Sequence, residues 1–220
     1  MPLVLPDFDA AFEYENAFYL ASDVSRMGKL LAHYELFRRT LEVPGAIVEC
    51  GIFKGASLVR WATFRQLFGG PESKSIVAFD VFGEFPETGW EPDKAVRDRF
   101  IDAAGSQSIG VDQLRSVLKH KGIGANVDLV QGDITETLPA YVEAHPQLTI
   151  SLLNLDTDVH EPAVTILECL WPRIVPGGVL LIDDYGVFPG ETSAVDAYFE
   201  DKPVTLQKLP FNNTPTYVVK

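Results

Sequence analysis

Two aspartates stand two positions apart at the end of an apolar run, in the stretch SLLNLDTDVHEP over residues 151–162. In extended backbone, Asp156 and Asp158 would project to the same side, roughly 6.5–7 Å apart along the chain. Acids in this position are typical of a metal site, a general base for proton removal, or a helix N-cap. The pair alone leaves these three chemistries open.

A second acidic pair ends a second apolar run. Asp183 and Asp184 lie in GVLLIDDYG, residues 178–186. If the two runs form neighbouring strands, about 4.8 Å apart, all four carboxylates open into one cleft. Such carboxylates repel one another unless a proton or a cation intervenes. Oxygen ligands favour Mg²⁺ or a similar divalent ion, and the four scattered histidines have no zinc-site spacing.

The elements that would position these acids alternate along the chain. Short, nearly continuous apolar strands are separated by helical stretches, which predicts an α/β fold with a doubly wound, mostly parallel sheet. Residues 204–209 and 215–220 are too closely spaced for a crossover, so we expect an antiparallel edge hairpin. An apolar stripe over residues 26–43 predicts a helix. We expect one domain over 1–220, with a helical cap or lid over 1–43 and a Rossmann-like core over 44–220.

Ligands of such sheets bind outside the carboxyl ends of the strands. Gly51 and Gly55 follow the first strand and permit a tight turn, although their G-x-x-x-G spacing is not the dinucleotide pattern. Asp80 follows the second strand, where an acid commonly accepts from ribose hydroxyls. Asp133 follows the third strand and could reach an exocyclic amine. Each residue alone could be a turn or a cap, but their recurrence at one edge favours a ligand site.

Composition narrows the class of partner. The net charge of −13, from 31 acidic and 18 basic residues, opposes binding to nucleic acid and favours a small molecule. The apolar runs are too short for a bilayer and the acidic N-terminal stretch does not suit a signal peptide, so we expect a soluble, cytoplasmic protein without membrane partners. Cys50 and Cys169 are expected to be reduced thiols.

Four segments together resemble the macrocin O-methyltransferase family. They are PGAIVECGIFKGAS at 44–57, FDVFGEFPET at 79–88, LDTDVHEPAVTILECLWPRIVPGGVLLIDDYG at 155–186 and PGETSAVDAYF at 189–199. The likeness extends over about residues 26–200. The resemblance implies an S-adenosylmethionine-dependent class I methyltransferase fold. Several members of that family methylate sugar hydroxyls in antibiotic biosynthesis.

The resemblance also implies roles for single residues. The metal ligands would be Asp156, Asp183 and Asp184, and the general base would be Asp158. His160 stands where the family usually has tyrosine and is a candidate to assist proton transfer. Residues 8–27 and 84–110 are candidate lids over the acceptor. The residues implied in cofactor binding are Glu49, Gly51, Gly55, Ser57, Asp80, Asp133, Ile134 and Asp156.

The resemblance thus implies a Mg²⁺-dependent O-methyltransferase acting on a hydroxyl of a sugar, a nucleotide sugar or a glycosylated natural product. One alternative is a catechol-type enzyme, because a phenolic diol also chelates a metal through adjacent hydroxyls. Another is a non-catalytic S-adenosylmethionine-binding domain, against which the retention of all four clustered acids argues. The expected partner is a small-molecule hydroxyl acceptor, and the sequence is compatible with a homo-oligomer.

Overall fold

A computed structural model describes residues 3–220. Met1 and Pro2, the first residues of the predicted cap, lie outside the described residues. The strands are β1 Ala46–Cys50, β2 Ile76–Asp80, β3 Val127–Gln131, β4 Ile150–Leu155, β5 Ile174–Ile182, β6 Gln207–Lys208 and β7 Thr216–Val219. The helices are α1 Ala11–Ala21, α2 Val24–Arg39, α3 Ala56–Phe68, α4 Glu91–Ala104, α5 Val111–His120, α6 Ile134–Ala144, α7 His160–Leu170 and α8 Pro189–Phe199, with short 3₁₀ turns at Phe8–Ala10 and Trp171–Arg173.

Within residues 3–220, seven strands form one sheet in the order β3-β2-β1-β4-β5-β7-β6. The five strands from β3 to β5 are parallel, whereas β7 is antiparallel to both β5 and β6. The predicted doubly wound sheet with an antiparallel edge is therefore confirmed. The strand order reverses between β1 and β4, and such a switch point opens a crevice at the carboxyl ends of the strands.

Two predicted strand boundaries are wrong. The fifth strand begins at Ile174 rather than at residue 178, because the β4–β5 pairing passes through an irregularity between Ile150 and Leu152 that accommodates the glycine-containing stretch. The strand predicted over 204–209 is only Gln207–Lys208. This short segment lies at the sheet edge and pairs with β7 through two register positions.

The sheet separates two apolar layers. On one face, Phe79, Leu155 and Ile182 pack with residues of α6, α7 and α8. On the other, Leu152 and Leu181 pack with residues of α2, α3 and α5. Because the central strands are buried on both faces, their sequences are almost continuously apolar.

Helix α2 is docked firmly on the sheet, in contrast to α1. Asp23 caps α2 by accepting from the backbone N–H of Ser25 at 2.8 Å. His33 stacks on Trp61 of α3 with ring centroids 4.5 Å apart, and both rings are fully buried. All residues of α1 are at least partly exposed. The α2–α3 contact therefore fixes the direction in which the N-terminal half of α2 points.

The helices described for residues 3–220 are all too short or too polar to span a membrane. Both cysteines are free. Cys50, the last residue of β1, is buried, whereas Cys169 is partly exposed. Burial raises the pKa of the Cys50 thiol well above its usual value.

Candidate functional site

A cavity of about 310 Å³ lies at the switch point, outside the carboxyl ends of β1, β2 and β4. Its walls combine apolar side chains such as Phe53 and Phe85 with several acids. Glu49, Gly55 and Ser57 are not among its lining residues, which all lie in the described part of the chain. Of the residues predicted to bind a cofactor, the cavity is lined by Gly51, Asp80, Asp133, Ile134 and Asp156.

Gly51 allows the turn after β1 to touch the loop after β4. Its φ is +89°, and a Cβ there would overlap the carbonyl oxygen of Asp156. A backbone hydrogen bond from Asp156 N–H to the Cys50 carbonyl at 3.0 Å completes this contact, and Gly51 N–H donates to the Phe79 carbonyl of β2 at 2.9 Å. Only glycine combines this conformation with such close approach.

The carboxylate of Asp80 is hydrogen-bonded to the backbone around it. It accepts from the N–H groups of Ile52 at 2.7 Å, Phe53 at 3.0 Å and Phe82 at 2.6 Å. Burial raises the pKa of Asp80, and these three donors oppose the shift. Phe53 and Phe82 both have positive φ. Asp80 therefore shapes two strained turns of the cavity wall in addition to facing the cavity.

Asp133 is the N-cap of α6. Its carboxylate accepts from Thr135 N–H at 2.8 Å and from the Thr135 hydroxyl at 2.7 Å. It also lines the cavity, so the capping alternative is confirmed without removing it from the site.

Three carboxylates converge beside the cavity. Asp156, Asp158 and Asp184 each offer an oxygen, and these oxygens lie within 4.8 Å of one another. Burial raises the pKa of Asp156 and of Asp158 well above ordinary values, and the neighbouring acids Asp183 and Asp184 respectively add to the shifts. Asp158 has a φ of +65°, an uncommon conformation that concentrates at functional sites. Helix α7 has Val159 as its N-cap, so Asp158 does not cap it.

The carboxylate of Asp183 faces α2 instead. One oxygen forms an ion pair with the Lys29 ammonium, and the other lies 3.8 Å from His33 Nε2. Burial alone would raise the pKa of Asp183, but Lys29 and His33 hold it well below its usual range.

Lys29 is a site residue that sequence reasoning missed. Burial alone would lower its pKa, but the negative charges of Asp156, Asp183 and Asp184 raise it overall. These are the same three acids that the resemblance implies as metal ligands. A signal for Lys29 was its place one helical turn before His33, on a helix that buries one face.

Glu191 also escaped notice. It is fully buried, and one of its oxygens accepts from the backbone N–H of Asp184 at 2.9 Å. The other oxygen has no hydrogen-bond partner among residues 3–220. Burial and the nearby Asp184 raise the pKa of Glu191 well above its usual value. Glu191 thus adds another carboxyl group to the cluster while fixing the backbone at Asp184.

Glu49 lies behind the cavity, on the α3 side of the sheet. It is fully buried and accepts from the side-chain amide of Asn154 at 3.1 Å. Burial raises the pKa of Glu49 to about 7, although hydrogen bonds involving Ser57, Asn154 and Trp61 oppose the shift. For Glu49 to contact a cofactor as predicted, the hydrogen-bonded side chains around it would have to separate, or a water molecule would have to bridge Glu49 and the cofactor.

His160 is the first residue of α7, and its ring stacks on Trp90 with centroids 5.0 Å apart. It does not line the cavity. The candidate lid 84–110 does contribute to the wall, through Phe85, Pro86, Glu87 and Ser108, whereas residues 8–27 contribute none of the lining.

Comparison with known proteins agrees with this geometry. The model of the family described as macrocin O-methyltransferase matches residues 23–218. The chain is 30% identical, over 66% of its length, to 8-demethyl-8-(2,3-dimethoxy-alpha-L-rhamnosyl)-tetracenomycin-C 4'-O-methyltransferase of Streptomyces olivaceus. It is 24% identical, over 71% of its length, to demethyldecarbamoylnovobiocin O-methyltransferase of Streptomyces niveus. The matched regions span only 54% and 58% of these two relatives.

Solved structures give the same neighbourhood. The calicheamicin methyltransferase CalS11 superposes with a TM-score of 0.78 at 29% identity, covering 95% of this chain and 85% of that one. Its apo form, described as a TDP-rhamnose 3'-O-methyltransferase, gives a TM-score of 0.69 at 28% identity, with coverages of 99% and 88%. The chain has the Rossmann-like class I methyltransferase fold.

The raised pKa of Glu49 predicts a pH-dependent stability. Because the folded pKa of about 7 exceeds the ordinary value of 4.5, this group stabilises the fold fully below pH 4.5, and that contribution is lost as pH rises through 7. The full loss is on the order of 3–4 kcal/mol at roughly 1.4 kcal/mol per pKa unit. We expect Glu49→Gln to remove this loss, measured by chemical denaturation at pH 5 and pH 7.5.

The control is the exposed Glu143→Gln. Its change in unfolding free energy between the two pH values should equal that of the wild type. An equal change in Glu49→Gln would mean that Glu49 is not protonated in the folded chain at pH 5 to 7.

Proposed function

The chain belongs to the macrocin O-methyltransferase family, and we propose that it transfers a methyl group from S-adenosylmethionine to a sugar hydroxyl. The acceptor would be a nucleotide sugar or a glycosylated natural product. The similar proteins support this class, since they include a rhamnosyl-tetracenomycin enzyme and a TDP-rhamnose enzyme.

One observation carries the proposal. Asp156 and Asp158 line the cavity and also belong to the carboxylate cluster. A methyl donor held in the cavity and a hydroxyl held on the cluster would therefore meet at these two residues. A cavity without adjacent acids would suit cofactor binding alone.

The carboxylate acceptors and apolar side chains that line the cavity suit S-adenosylmethionine. When bound, this cofactor supplies an already activated methyl group, so catalysis depends mainly on positioning. We assign its ribose to the region of Asp80 and its adenine to the region of Asp133 and Ile134. Phe53 and Phe85 provide apolar surface for binding and exclude water from one side.

The acid cluster fits a divalent cation. Its donors are carboxylate oxygens, which suit Mg²⁺, and the Lys29 ammonium already stands among Asp156, Asp183 and Asp184 as a positive charge supplied by the chain itself. We assign these three acids as the ligands, with Lys29 displaced from Asp183 on binding. Mg²⁺ when bound lowers the pKa of a sugar hydroxyl and helps to orient it.

Asp158 is the proposed general base. It is almost fully buried and lines the cavity. Its carboxylate would take the proton from the acceptor hydroxyl as that oxygen attacks the methyl group. His160, the first residue of α7, stacks on Trp90 of the candidate lid 84–110. We propose for His160 a contact with the acceptor or a role in proton transfer.

The full chain should bind S-adenosylmethionine by calorimetry and methylate TDP-rhamnose or methyl rhamnoside in the presence of Mg²⁺. Mass spectrometry would detect the gain of one CH₂ unit. A catechol as the only methylated acceptor would overturn the sugar assignment. Cofactor binding without methyl transfer to TDP-rhamnose, methyl rhamnoside or a catechol would support a non-catalytic binding domain.

We expect Asp158→Asn to lower turnover by about 10²–10⁴-fold, because the amide cannot accept the hydroxyl proton. Asparagine tolerates the positive φ at this position, so the backbone should be preserved. Cofactor affinity and Mn²⁺ affinity should stay within about threefold of wild type, measured by calorimetry and by electron paramagnetic resonance.

Two variants make this test specific. Asp183→Asn should weaken Mn²⁺ binding, whereas Asp196→Asn, an exposed aspartate of α8, should leave both binding and turnover unchanged. If Asp158→Asn weakens Mn²⁺ binding and Asp183→Asn does not, the ligands are the convergent set Asp156, Asp158 and Asp184. Asp158 would then not be a free base.

Removal of divalent ions should abolish transfer. We expect EDTA treatment followed by desalting to inactivate the chain and Mg²⁺ to restore turnover, because without the cation the acceptor loses its orienting charge. Ca²⁺ serves as a control of similar charge and different preferred geometry. Full activity after complete metal removal, verified by elemental analysis, would exclude the cation from the mechanism.

A further inference from the structure

Asp93 is a fully buried carboxylate in the first turn of α4. One oxygen accepts from the backbone N–H of His160 at 3.0 Å, and the other accepts from the backbone N–H of Gly190 at 2.7 Å. His160 begins α7 and Gly190 is the second residue of α8. A single side chain from one helix therefore caps the N-termini of two others.

These two helices have no capping side chain of their own. Their N-cap residues, Val159 and Phe188, make no side-chain capping bond. The first N–H groups of a helix lack acceptors within the helix, so a buried helix start needs one from elsewhere. The two amide–carboxylate bonds meet that need and also favour the negative charge through the helix dipoles.

Glycine at position 190 is what admits this carboxylate. A Cβ at residue 190 would overlap the Asp93 side chain and approach the backbone nitrogen of His160 to 2.6 Å. The start of α8 is therefore in direct contact with both Asp93 and the start of α7.

The capped amides are adjacent to the acid cluster. His160 comes two residues after Asp158. Gly190 immediately precedes Glu191, whose carboxylate accepts a hydrogen bond from the backbone N–H of Asp184. We propose that Asp93 is a positioning residue, which fixes the starts of α7 and α8 relative to each other and thereby sets the separation of Asp158 from Asp184. This inference rests on the proposed methyl transfer for its catalytic consequence.

Asp102 supplies a matched comparison on the same helix. It is an exposed residue in the last turn of α4, whereas Asp93 is buried in the first turn. Asp102→Glu therefore makes the same chemical change in α4 away from the starts of α7 and α8. Asparagine at 93 could not keep both capping bonds, because its amide group would face a second N–H donor.

The test compares Asp93→Asn, Asp93→Glu and Asp102→Glu in the full chain. Glutamate at 93 keeps two acceptor oxygens but lengthens the side chain, so it should separate the two helix starts while leaving them capped. We expect Asp93→Glu to fold with a near-native Tm but to lower kcat about tenfold or more, with the Kd for S-adenosylmethionine within about threefold. Asp93→Asn should lower both Tm and kcat, and Asp102→Glu should match wild type.

The acceptor is TDP-rhamnose or methyl rhamnoside, whichever the wild type methylates. The kcat of Asp93→Glu is measured at a temperature below the Tm of this variant. A value within twofold of wild type would show that Asp93 is only a structural cap and would overturn the inference. An equal loss in Asp102→Glu would do the same, because it would assign the effect to a general sensitivity of α4 to a longer acidic side chain. If Asp93→Asn does not fold, Asp93→Glu carries the test.

Mn²⁺ affinity separates this inference from the proposed function. If the wild type methylates neither acceptor, the proposed function fails, but a fivefold or greater loss of Mn²⁺ affinity in Asp93→Glu would still support positioning of the acids. Unchanged Mn²⁺ affinity in that case would overturn the inference. Hydrogen exchange on the wild type adds a check, because the amides of His160 and Gly190 should be protected, unlike most first-turn amides.

Discussion

The crowding of negative charge at the ends of β4 and β5 is the constraint on which the rest of the site depends. Asp156, Asp158, Asp183, Asp184 and Glu191 are brought together where two parallel strands end, and burial raises the pKa of most of them. Like charges in a buried place are costly unless a proton or cation compensates them. Lys29 of α2 supplies a compensating positive charge. The packing of α2 against α3 holds this lysine beside the acids.

The backbone at this edge of the sheet is also unusual. Phe53, Phe82 and Asp158, which follow β1, β2 and β4, all have positive φ. Left-handed conformations of such residues persist only where surrounding contacts impose them. Here those contacts include the three N–H groups bound by Asp80 and the close approach of Gly51 to the loop after β4. The rigid sheet thus supports an edge whose turns are strained by packing the site together.

Much of the fold was predictable because its signals are local. Continuous apolar strands, the helix predicted over residues 26–43 and the closely spaced final strands each follow from neighbouring residues, and the position of an acid after each strand follows from parallel topology. The missed parts are contacts between distant residues. Lys29 lies 154 positions from Asp183, and Asp93 lies 97 positions from Gly190, so no local periodicity could join them. Asp80 shows the middle case: its place was predictable, but its three backbone donors were not.

The double cap by Asp93 also limits how this scaffold can be rebuilt. Segment 84–110 looks like a module, since it is inserted between β2 and α5 and its first part walls the cavity. A chimera that exchanged this module to change substrate range would remove the anchor of α7 and α8 along with the wall. A workable graft would have to bring an acid equivalent to Asp93 and keep glycine at 190. Recombination of this family is therefore constrained by two helix starts that lie outside the exchanged segment.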